Sequence, residues 1–228
     1  MSESPTTLTG VLDLVLPVEC GGCGCPATRW CPDCAAALQV HPDQPDVVSP
    51  RVDPGVAVFG LGRYAGPRRQ GIVALKEHGR GDLVQPLARS LALGIHRLIT
   101  WGVVGLPLTV VPAPTRRSSA RRRGGDPVAR IAAVATAGHP DIAVLNALRT
   151  AGLARDSVGL GTRARERNIT GRVRTVPGGI AGEIAGDIAG EILVVDDVVT
   201  TGVTAREAVR VLHGGGATVA AVLTLAYA

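Results

Sequence analysis

Residues 192–204, ILVVDDVVTTGVT, constrain what this chain can fold into more than any other segment. Ile192 to Val195 are aliphatic without interruption, so they lack the alternation of a strand with one wet face. They read as a strand buried on both sides, which is the habit of parallel sheets covered by helices. A polar turn, Thr200-Thr201-Gly202, then leads into helical spacing around Ala205–Leu212. Strand, loop and helix in this order predict an α/β fold. Composition agrees, because 46% of the 228 residues are hydrophobic and only 2% are aromatic. The core must therefore be built from Val, Ile, Leu and Ala, in one domain or one domain with a small appendage.

The rest of the chain repeats the alternation. VAVFGLGRY reads as a strand, PRRQGIVALKEHG as a helix with Pro67 in its first turn, and DLVQPLARSLALGIHRLI as a second helix. LPLTVVPAP is a β-branched run ended by prolines, and a helix is expected from about Pro127. VTAREAVRVLHGGGA is a helix stopped by three glycines, and TVAAVLTLA is a closing strand. Right-handed crossovers then give a mostly parallel sheet flanked by helices. PGGIAGEIAGDIAGEI repeats every four residues, too short a period for a solenoid unit, and reads as a low-complexity excursion.

The chemistry of the 192–204 segment points to a sugar phosphate. The strand delivers Asp196 and Asp197 to the carboxyl end of a parallel sheet, where open α/β folds place ligands. The first N–H groups of the following helix lack intrahelical partners, and its dipole favours an anion. Gly202 lets a backbone approach closely, and the hydroxyls of Thr200, Thr201 and Thr204 can donate to phosphate oxygens. Two carboxylates just before such a nest suit the vicinal hydroxyls of a ribose whose 5-phosphate sits in it. A receiver domain, which also carries an acidic pair, is excluded by position, since only about thirty residues follow. No G-x-x-x-x-G-K-[ST] phosphate loop is present.

All five cysteines fall between Cys20 and Cys34. Cys20-Gly-Gly-Cys23 and Cys31-Pro-Asp-Cys34 are two C-x-x-C pairs at the spacing of a structural zinc site with no open position for water. Cys25 is spare, and either replaces Cys23 or stays free. HPDQPDVVSPRVDPG, rich in proline and aspartate, reads as a linker, giving a zinc module with linker over 1–50 and an α/β domain over 51–228. The opening residues carry no basic region, and Asp13 and Pro17 break their apolar stretch, so they are not read as a signal peptide. A cytoplasmic protein with reduced thiols is expected.

The segment resembles the phosphoribosyl pyrophosphate (PRPP) signature of type I phosphoribosyltransferases: a hydrophobic strand, two acidic residues, then T-[TG]-G-x-T. A four-cysteine module ahead of that signature is the layout of the ComF family, competence-associated proteins also related to the gluconate-uptake protein GntX. LDLVLPVECGGCG, YAGPRRQGIVALKEHGR, VVPAPTRRSSARRRG and ARERNITGRV are similar to further stretches of that family. Two departures stand out. Arg123-Gly124-Gly125-Asp126-Pro127 replaces the usual R-G-F-N-Q, and Ser157 stands where a Gln is usual.

The resemblance implies binding of PRPP with magnesium and, in a catalytic member, phosphoribosyl transfer with pyrophosphate release. A non-catalytic module that senses PRPP or a nucleotide, or docks within a DNA-uptake machinery, is the alternative. By resemblance Asp196 and Asp197 are the catalytic pair at the ribose hydroxyls, and Thr200, Thr201, Gly202, Val203 and Thr204 hold the 5-phosphate. Pro112–Thr115 with Arg116 and Arg117 form the candidate pyrophosphate loop, with an exposed arginine-rich turn as the plain alternative. Arg165 and Asn168 are candidates for a loop that closes over pyrophosphate.

Lys76, the only lysine, and Arg80 lie four apart at an expected helix end and can face one site, as phosphate ligands or as solvated side chains. His78, His96 and His213 read as surface residues. The net charge of +5 comes from arginine, which favours an anionic ligand but is also what a compositional bias produces. Arg116, Arg117, Arg121, Arg122 and Arg123 place five positive charges within eight residues, enough to track the backbone of single-stranded DNA.

Overall fold

A computed structural model describes residues 18–114, 125–150, 170–176 and 190–228. The chain is α/β, with a six-stranded, mostly parallel sheet flanked by helices. Helix α1 (Pro32–Ala37) belongs to the cysteine-rich segment, and β1 (Asp46–Val48) and β2 (Ala57–Gly60) follow. Helices α2 (Gly66–Glu77) and α3 (Val84–Thr100) lead to β3 (Leu108–Pro112), and α4 (Pro127–Thr136) to β4 (Ile142–Val144). A separate two-stranded sheet pairs β5 (Leu148–Thr150) with β6 (Val173–Thr175). The chain then forms β7 (Glu191–Val199), α5 (Val203–Gly214) and β8 (Val219–Tyr227). Among the described residues, no helix is long and apolar enough to cross a membrane.

The sheet order is β1-β2-β8-β7-β3-β4, and only the β1–β2 pairing is antiparallel. Strand β7 carries the core on both faces, as its unbroken aliphatic run predicts. Leu193 and Val195 pack with α2, α3 and α4, while Ile192 and Val194 pack with α5 and the β5–β6 hairpin. The elements start and stop where local chemistry directs. Pro67 and Pro127 stand in first turns, the Asp126 carboxylate accepts from the Val128 and Ala129 N–H groups at the start of α4, and α5 runs out into Gly214–Gly216.

Two expectations are corrected. The stretch expected to be a linker contributes β1, anchored where the Tyr227 hydroxyl donates to Asp46 Oδ2 at 2.8 Å. Strand β7 does not end at Asp197, the last residue of the expected strand EILVVDD. Val198 and Val199 are β-branched and continue its ladder with Ala226 and Tyr227, so Asp196 and Asp197 lie inside the strand.

The topology creates a notch at these carboxylates. Strand β3 sends its crossover helix α4 to one face and outward to β4, whereas β7 sends α5 to the other face and back to β8. Between β3 and β7 the winding reverses, the point where open α/β sheets leave a crevice at their carboxyl ends. Pairing of β3 with β7 ends at Pro112 opposite Val195, followed by one bond from the Ala113 N–H to the Val195 carbonyl at 2.7 Å. Beyond it, Asp196 keeps its ladder partner only on the β8 side, Thr224.

Candidate functional site

At the notch, the two carboxylates have different surroundings. Asp197 is buried at 7% exposure, and its Oδ2 lies 2.5 Å from the ammonium of Lys76 on α2. Burial alone would lower the pKa of Lys76, and the charges of Asp197 and then Asp196 raise it instead. Asp196 is half-buried, and its Oδ1 accepts from the Asp197 N–H at 2.8 Å. Burial first, and then the neighbouring Asp197 charge, push the Asp196 carboxyl well above the ordinary aspartate range, with Lys76 opposing.

The turn after β7 leaves Thr200 exposed and Thr201 and Thr204 partly exposed, with Gly202 and Val203 buried. No side chain caps α5, and its first turn holds no acidic residue, so a negative group is not opposed there. Gly202 has φ +86°, and a Cβ on it would stand 2.3 Å from the Val52 carbonyl oxygen. The close approach that this glycine permits is therefore to the chain's own backbone. The segment after β1 lies against the turn, and the Val52 N–H donates to the Thr201 carbonyl at 2.8 Å.

Lys76 and Arg80 do not share a site. Helix α2 ends at Glu77 and the backbone turns left-handed at Gly79, which breaks the four-residue spacing. Arg80 instead forms a two-pronged pair with Asp82 and reaches the Arg29 carbonyl beside the cysteines. Asp126 and Pro127, the departure from the R-G-F-N-Q pattern, start α4 as its cap and first residue. Thr115, Arg116, Arg117, Arg121, Arg122, Arg123, Ser157, Arg165 and Asn168 lie outside the described residues.

The cysteine module forms a second centre. The Sγ atoms of Cys20, Cys23, Cys31 and Cys34 all lie within 4.8 Å of one another, and three of the four residues are buried. Backbone N–H groups point at the sulfurs: Gly22 and Cys31 donate to Cys20, and Cys34 donates to Cys31. Burial opposes ionisation of Cys20, yet these donors bring its pKa down to about 6. Cys34 is pushed the other way, by burial and then by its neighbours' sulfurs. Sulfurs this crowded cannot all ionise without a cation among them, and the set can hold a metal ion such as zinc. Cys25 is half-buried against the cluster, its thiol raised to about 12 by hydrogen bonding with Cys23 and by burial.

The module is seated on the α/β body by close contacts. The Trp30 ring lies over Gly22 and Gly71, Leu83 closes on Gly21, and the Ser90 hydroxyl donates to the Leu38 carbonyl. Any side chain at Gly71 would meet the indole ring at about 3.2 Å.

Sequence reasoning passed over Glu207. It is only 2% exposed on α5; its Oε2 accepts from the Gly171 N–H at 2.7 Å and pairs with Arg210 at 3.0 Å, which ties the backbone just before β6 to the helix. Its i, i+3 spacing to Arg210 is visible in sequence, but its burial is not. Burial would raise its pKa, and the bonds from Arg210 and Gly171 overcome this and lower it. Its charge therefore stabilises the fold above the ordinary glutamate value of 4.5, and that contribution is lost as pH falls through the lower folded value. Glu207→Ala is expected to cost about 2–4 kcal/mol at neutral pH, with the deficit against wild type shrinking in acid. Denaturant melts at pH 7 and pH 4 check this, and a deficit that does not change with pH contradicts it.

A scan against protein-family models and a search of curated proteins return no match to this chain.

Proposed function

We propose that this chain is a ComF-like protein with a type I phosphoribosyltransferase fold, binding PRPP with magnesium at the notch between β3 and β7 and carrying a structural zinc on Cys20, Cys23, Cys31 and Cys34. One observation carries the reading: the reversal of winding falls between β3 and β7, so Asp196, Asp197 and the Thr200–Thr204 turn stand together at the sheet edge where such folds take ligands. The acidic pair within β7 serves the ribose hydroxyls, and the uncapped start of α5 serves the 5-phosphate. In catalysis an acceptor forms a bond to the anomeric carbon as the bond to pyrophosphate breaks. Magnesium, when bound, neutralises the departing pyrophosphate. The protein contributes positioning and charge stabilisation.

Thermal melting with PRPP and magnesium tests the reading. A ligand that binds only the folded chain at about 100 times its dissociation constant adds about 2.7 kcal/mol of stability. The shift is expected to require magnesium and to vanish in the double variant Asp196→Asn, Asp197→Asn. An unchanged shift in that variant removes the ribose assignment. Pyrophosphate release with a panel of acceptors separates a transferase from a sensor, which shifts its melting without turnover.

A further inference from the structure

We infer that the two carboxylates of β7 divide the work: Asp196 is the group that meets the sugar hydroxyls, whereas Asp197 is a positioning residue whose charge is committed to Lys76. The inference rests on the sugar-phosphate reading above and refines it.

The two carboxylates differ first in access. Adjacent residues of a strand project to opposite faces. Asp197 follows Leu193 and Val195 onto the face covered by α2, and there it meets Lys76 at 2.5 Å. Leu75, Leu87, Val128 and Ile131 line the apolar side of the pair, where the residual cavity is only about 10 Å³. On that side a ligand has no room beside Asp197. A carboxylate in such surroundings needs a fixed counter-charge, because burying it unpaired is costly. Lys76, the chain's only lysine, supplies that charge from the last turn of α2. Its ammonium, on a side chain still 31% exposed, is engaged by Asp197 and is not a free phosphate ligand.

Asp196 is the more open of the two. It is half-buried, it lies just past the last residue paired with β3, and among the described residues no side chain bonds its Oδ2. Its Oδ1 is held by the Asp197 N–H. The Lys76–Asp197 pair thus fixes the peptide that orients Asp196, which is how a buried pair away from the ligand can act on it.

The test combines calorimetric titration of PRPP with magnesium and ligand-free denaturant melts. Asp196→Asn is expected to weaken PRPP by about tenfold or more, the scale of a lost hydrogen bond to a charged group, with its fold intact. Asp197→Asn and Lys76→Met are each expected to lower the melting temperature. The double variant Lys76→Met, Asp197→Asn should recover much of that loss in stability yet still weaken PRPP by about threefold, less than Asp196→Asn does, because Asp196 is no longer held, and Lys76→Arg, which retains the charge, should keep both properties. The division is overturned if that double variant loses as much affinity as Asp196→Asn, or if the Lys76 and Asp197 effects on ligand-free stability simply add. A wild-type protein that does not bind PRPP overturns the sugar assignment itself. Coupling that persists in the ligand-free melts then locates the fault in the ligand reading and not in the ion pair.

Discussion

Cys34→Ser is expected to abolish metal binding by the four-cysteine module and to unfold the segment around residues 18–38. Cys34 is fully buried and supplies one of the four clustered sulfurs, so a serine oxygen there cannot reach out to water or recruit a replacement ligand. The enclosing segment has little core of its own. Among its buried hydrophobic residues, Cys20, Cys31 and Cys34 are themselves proposed ligands. With the proposed zinc held, its stability comes from the metal and from docking on α2, and structural zinc is worth on the order of 10 kcal/mol in small peptides. Elemental analysis should find about one zinc per wild-type chain after dialysis and almost none in Cys34→Ser. Protease sensitivity should rise first within the module, because release of Trp30 from Gly71 undocks it. Cys25→Ser is the control and should keep the metal. Full zinc in Cys34→Ser, or iron in the wild type, refutes the assignment.

The second large effect is expected at Gly202. Gly202→Val places a β-branched residue at φ +86°, a conformation reserved almost entirely for glycine, and drives its Cβ to 2.3 Å from the Val52 oxygen and 2.8 Å from Pro50 Cβ. Backbone strain and overpacking together should cost about 3 kcal/mol or more, lowering the melting temperature by roughly 6–12 °C in a chain of this size. The loss should appear without any ligand, because the obstruction is the chain's own 50–52 segment. PRPP binding should fall as well, since the turn from Thr200 to Thr204 is displaced when that segment is pushed away. A ligand-free melting point within about 2 °C of wild type contradicts the contact, because it corresponds to less than about 1 kcal/mol.

Much of the sheet was legible because its strands announce themselves locally. The aliphatic run Ile192–Val195 can satisfy its side chains only between two covered faces, and Pro67, Pro127 and the closing glycines mark helix ends by backbone chemistry alone. The C-x-x-C pairs were legible for the same reason, since a short loop brings four thiols into one small volume. Strand β1 was hidden because a three-residue edge strand has no pattern of its own. It forms because Asp46–Val48 finds β2 beside it and Tyr227 holds Asp46.

The candidate site divides along the same line. The sequence by itself determined which groups stand near the sheet edge: two adjacent carboxylates, then a threonine- and glycine-bearing turn into a helix. Only the tertiary structure decided what each group touches. Identical Asp residues separate into a buried member paired with Lys76 and a half-buried neighbour, Arg80 turns away to Asp82 because Gly79 breaks the helix, and Gly202 admits Val52. Charge and hydrogen-bonding capacity belong to a residue type and can be read one letter at a time. Partners and desolvation depend on elements distant in the chain, and the roles of Asp196 and Asp197 are set by α2, more than a hundred residues earlier.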